Sequence, residues 1–102
     1  VSELRELQSK FVQMVGKLID HAYSMDGVEL TFGDAFAHDG HMKGSLHYER
    51  LAIDLNLFVL GEYKSDTESY RPLGEYWESI GGAWGGRFND GNHFSLAYGG
   101  RK

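Results

Sequence analysis

The sequence predicts an α+β domain, a small antiparallel sheet flanked by helices. Three observations carry that prediction. Leu4, Leu7, Phe11, Val15, Leu18 and Ala22 recur at helical spacing. Residues 51–59 alternate as a strand, with Leu51, Ile53, Leu55 and Leu57 on one face and Ala52, Asp54, Asn56 and Phe58 on the other. A second helical stripe then separates this strand from another alternating stretch, residues 93–98. At 102 residues the chain holds one domain, residues 1–102, because a second core would not fit.

The opening helix is predicted over residues 2 to about 23, with Ser2 as N-cap and His21 near its C-terminal end, where an imidazole suits the helix dipole. Its charged residues mostly lie off the apolar stripe, so the stripe serves packing. Residues 28–32 alternate after the turn signal Asp26-Gly27 and are read as a strand. Residues 33–46 lack periodicity and form a loop with room for a short helical turn. Gly61-Glu62-Tyr63 begins a turn or short return strand. The second helical pattern starts at Asp66, takes Pro72 in its first turn, and buries Leu73, Tyr76, Trp77 and Ile80. Gly81-Gly82 ends it. Residues 84–88 are glycine-rich between aromatics, and the last strand puts His93, Ser95 and Ala97 on one face.

Composition narrows the function. The net charge of −5 comes with no basic block, which argues against nucleic acid or an anionic membrane as partner. No apolar run approaches the ~18 residues of a membrane span, and the first residues show no signal-peptide core, so no export signal is visible. With no cysteine, a metal must sit on His, Asp or Glu.

Four residues then stand out: His47, Asp54, Asp90 and His93. Two imidazoles and a carboxylate can make a three-ligand zinc site with an open position, and a nearby acid can serve as base. Asp54 is an acid on a strand whose other face is aliphatic. If its strand lies antiparallel beside the one His93 opens, like-facing side chains approach within about 5 Å. His47 would point to the opposite face of a continuous strand, so a turn or bulge is expected between His47 and Ala52. A tight turn through Gly91-Asn92 would bring Asp90 beside the metal without binding it. A competing ligand set is His38-Asp39-Gly40-His41, but its glycine-rich loop is a poor platform for a rigid site and reads better as a cleft rim.

Ser45-x-His47-x4-Ala52-x-Asp54-Leu55, followed by Trp84-Gly85-Gly86-x-Phe88-x-Asp90-x2-His93-Phe94, resembles the zinc D-alanyl-D-alanine peptidase family. It is most similar to small phage endolysins that act as L-alanyl-D-glutamate peptidases. The resemblance spans roughly residues 28–98. It implies a zinc (Zn2+) cleft on one face of the sheet, with His47, Asp54 and His93 as ligands and Asp90 as general base and acid. Ser45 is implied beside the site, and the substrate is implied to be the stem peptide of bacterial peptidoglycan. The enzyme so implied is a monomer made in a host cytoplasm and acting on the cell wall.

The sequence departs from the family in two ways. Many relatives have glycine where this chain has Arg50, and many carry an upstream arginine thought to hold a substrate carboxylate or carbonyl. Residues 28–46 contain no arginine. Arg50 is the candidate replacement and Arg87 a weaker one. Trp84 and Phe88 are placed near the groove, Trp84 chiefly as packing. The alternatives to L-alanyl-D-glutamate cleavage are D-alanyl-D-alanine carboxypeptidase or dipeptidase action, a non-catalytic hedgehog-like zinc module, and a metal that serves only the fold.

Overall fold

A computed structural model describes residues 3–34 and 46–100. The proposed Ser2 cap, the His38-Asp39-Gly40-His41 cluster and Ser45 lie outside the described residues. Among the described residues two α-helices, α1 (Glu3–Tyr23) and α2 (Arg71–Ser79), accompany five strands: β1 (Val28–Phe32), β2 (Ala52–Val59), β3 (Glu62–Lys64), β4 (Ala83–Trp84) and β5 (His93–Ser95). The sheet runs β1-β2-β5-β4, with β3 also on β2, and every pairing is antiparallel. This is the predicted α+β class.

Strand β2 is the spine. Leu51, Ile53, Leu55 and Leu57 are all buried, joining Phe11, Met14, Leu18 and Ala22 of α1 and Leu73 and Trp77 of α2 in one core. Each such aliphatic contributes roughly 1.5–3 kcal/mol by leaving water. Aromatic edges lock the layers: Trp77 meets both Phe11 and Phe94 edge-on, and its indole N–H donates to Ser95 O at 2.8 Å. His21 stacks flat on Tyr76, 4.0 Å between centroids, so it ties α1 to α2 as well as standing near a helix end.

One edge of β2 is shared by two partners, β3 on its C-terminal half and β5 on its N-terminal half. Tyr70 fills the seam between them: its hydroxyl accepts from Leu57 N and donates to Lys64 O. The β2–β3 connection is two residues, Leu60 and Gly61, both at positive φ (51° and 80°), the backbone that matches strand twist. On the far side, β1 is an edge strand among the described residues. The Tyr23 hydroxyl accepts from Leu30 N at 3.1 Å and donates to Leu30 O at 3.4 Å.

The short return strand anticipated after Gly61 forms as β3. Two boundaries differ from expectation. The glycine-rich segment at Trp84 contributes a two-residue strand, β4, against β5. Strand β5 stops at Ser95 rather than continuing to Tyr98, because β2 begins at Ala52 and offers beyond it only the Leu51 carbonyl, which Leu96 N–H takes. Asp66 does initiate the second helical segment. Its carboxylate accepts from Ser69 N and caps a 3₁₀ turn (Thr67–Tyr70) that leads into α2. No helix among the described residues is long and apolar enough to cross a membrane.

Candidate metal centre

Alternation along β2 puts Asp54 on the face opposite the aliphatic core. Its backbone N–H and C=O are bonded on the β1 side, to Asp34 O and from Gly33 N, both at 2.7 Å. Toward β5 the ladder bonds come from neighbouring residues, as in Leu55 N to Asn92 O. Asp54 therefore faces His93 as a non-hydrogen-bonded pair, the position where opposed side chains stand closest. His93 Nδ1 lies 3.6 Å from Asp54 Oδ1.

His47 arrives by the predicted turn. It sits on a 3₁₀ turn (Leu46–Glu49) closed by Arg50, whose φ is 59°. Arg50 N bonds His47 O, and Leu51 N bonds Leu46 O. This reversal frees His47 from the strand's alternation and brings its Nε2 to 3.1 Å from Asp54 Oδ1. Both imidazoles are buried, and their centroids are 5.1 Å apart. Gly33 permits the crowding, since a Cβ there would stand 3.0 Å from Asp54 Cβ.

One ligand atom from each of His47, Asp54 and His93 lies within 4.8 Å of the others. Zinc bonds of about 2.0–2.2 Å in a tetrahedron separate neighbouring ligand atoms by about 3.3–3.6 Å. The separations of the two imidazole nitrogens from Asp54 Oδ1, 3.1 and 3.6 Å, lie close to that range. Donor type and spacing thus fit a zinc ion with an open fourth position. Burial pushes the Asp54 carboxyl up, but hydrogen bonds from His47 and His93, with their charges, outweigh it and hold it down at about 2.

Asp90 is exposed, at the start of the expected turn: His93 N bonds Asp90 O at 3.1 Å, and Asp90 N bonds Gly85 O at 2.9 Å. It is outside the three-residue ligand group. Arg50 is exposed beside His47 in the chain, and its left-handed backbone accounts for the glycine expected there. Arg87 makes a two-pronged bond to Glu78 and lies over the Trp84 ring. Trp84 is buried, whereas Phe88 is exposed with its ring 6.0 Å from that of His93, and both line a surface pocket with Ala83, Arg87 and Ala97.

Sequence reading missed one contributor, the tolerance at Gly85. A Cβ there would lie 2.2 Å from Asp90 O and 2.7 Å from His93 Cβ. The glycine doublet after Trp84 was the available signal, legible as a close turn but not as a seat for these two residues.

A family model described as D-alanyl-D-alanine carboxypeptidase matches residues 39–96. That span is more than half of the chain and includes His47, Asp54, Asp90 and His93. No curated protein matches the chain.

Proposed function

The chain belongs to the D-alanyl-D-alanine carboxypeptidase family of zinc peptidases, and on that premise we propose that it is an L-alanyl-D-glutamate endopeptidase cutting the stem peptides of bacterial peptidoglycan. The observation that carries the hydrolytic reading is the convergence of His47, Asp54 and His93 at zinc-ligand spacing. The resemblance to small phage endolysins supports the choice of bond, a lytic role at the cell wall after synthesis in a host cytoplasm, and a monomeric enzyme.

His47, Asp54 and His93 would hold the zinc ion. When bound, it supplies a Lewis acid for the scissile carbonyl and a lowered pKa for water. Asp54, anionic at neutral pH, brings negative charge to the two imidazoles and fixes their approach. Asp90, exposed at the rim, takes a proton from the attacking water and delivers it to the leaving amine. Phe88 excludes water beside His93, and Ser45 and Arg50 contact the substrate's carbonyl or carboxylate groups.

A second reading, D-alanyl-D-alanine carboxypeptidase action, is favoured by the description of the matching family model. Digestion of purified muropeptides by the zinc-loaded protein, read by mass spectrometry, separates the two. Cleavage between L-Ala and D-Glu is expected. Release of free D-Ala without that cleavage establishes the second reading, and zinc binding with neither product points to a non-catalytic module.

A further inference from the structure

We propose that Trp84 is a positioning residue for the metal centre, acting through the turn that carries Asp90 and His93. Its indole N–H donates to Gly91 O at 2.7 Å, in the middle of that turn. Within the turn, Asp90 N bonds Gly85 O and His93 N bonds Asp90 O, which set its local shape. Two bonds tie it to the buried body of the domain: Leu55 N of β2 to Asn92 O, and the indole to Gly91 O.

The indole is itself tightly held. Trp84 pairs with Phe94 across β4 and β5, one residue from His93. A Cβ on Gly74 of α2 would lie 2.0 Å from the indole, and one on Gly86 would lie 2.2 Å from it. Backbone therefore packs directly on the ring from two segments, and the Arg71 and Arg87 guanidinium groups also lie over it, 5.5 and 5.4 Å from its centroid. The Trp-Gly-Gly sequence thus has one physical purpose. Gly86 seats the indole, Gly85 lets the chain pass under Asp90 and His93, and the indole N–H sets the turn between them.

A metal site requires its ligands within about 0.5 Å of the working geometry, and partners behind the ligands commonly govern affinity by 10- to 100-fold. The role rests on the zinc reading above. Its test compares wild type, Trp84→Phe and Trp77→Phe. Trp77 is an internal control: it is also buried and also donates its indole N–H to a backbone carbonyl, Ser95 O. Thermal unfolding of the metal-free proteins should show similar losses in Tm for the two variants. Zinc competition titration should show affinity weakened about 10- to 100-fold in Trp84→Phe and within about threefold of wild type in Trp77→Phe. With saturating zinc, Trp84→Phe should lower kcat and leave KM unchanged.

Equal zinc affinity and equal kcat in the two variants overturn the positioning role. A wild type that binds no zinc overturns the metal centre itself, and this role with it. If Trp84→Phe does not fold, replacing Trp84 with 3-benzothienylalanine keeps the bicyclic shape and deletes only the N–H. Wild-type zinc affinity in that protein overturns the proposal, and weakened affinity supports it.

Discussion

Asp54 and His93 face each other across β2 and β5 at a non-hydrogen-bonded position, with Oδ1 and Nδ1 3.6 Å apart. Their separation is set by the ladder, and His47 is added to them by a turn. Asp54 touches both imidazoles and so is the hinge of the cluster. Asp54→Ala is expected to lower zinc affinity by more than about 100-fold, beyond the loss typical of a partner behind a ligand. Metal content after dialysis checks this, and a normal zinc complement would remove Asp54 from the ligand set.

The same contacts give the metal-free protein an acid dependence. The folded Asp54 carboxyl is held at about 2, below its ordinary 3.8. A depressed carboxyl stabilises the fold fully above its unfolded value, and that contribution is lost as pH falls through the folded one. Urea midpoints of the chelated wild type and Asp54→Asn should therefore converge between about pH 5 and pH 2. A constant gap over that range would contradict the assignment.

Asp90 begins the turn and stands outside the ligand group. Asp90→Asn should retain zinc and fold while losing about 10²- to 10⁴-fold in kcat on muropeptides. Undiminished cleavage would take Asp90 out of the mechanism.

Arg50 holds a left-handed backbone that costs a non-glycine residue about 1–2 kcal/mol. Arg50→Gly removes that cost but adds freedom to the unfolded chain, for a net gain of about 1 kcal/mol or less. Chemical denaturation measures the stability. A parallel rise in KM would show that the guanidinium contacts substrate, whereas unchanged kinetics would leave Arg50 a surface residue.

Gly85→Ala should have the opposite character. Its methyl would overlap Asp90 O and His93 Cβ, so the turn must move. A loss of about 1–3 kcal/mol is expected, as for other overpacked sites, together with weaker zinc binding. Calorimetry and zinc titration on one sample decide whether both fall together.

Much of this was legible because β-strand periodicity is exact. The alternation of residues 51–59 put Asp54 off the core, and the impossibility of His47 sharing its face through a continuous strand required the turn that is found. Other features hid for physical reasons. Strand β4 is two residues long and has no period. The left-handed backbone of Arg50 leaves no mark in an arginine. The bond from Trp84 to Gly91 joins groups brought together by a strand pairing that is itself set by distant β2.

Tyr23 has a consequence for how copies of this chain behave at high concentration. Its hydroxyl occupies both polar groups that Leu30 turns outward from β1. A strand from another molecule would have to displace that phenol before adding to the sheet. A single side chain from the end of α1 thus guards against strand-by-strand stacking and aggregation at this edge.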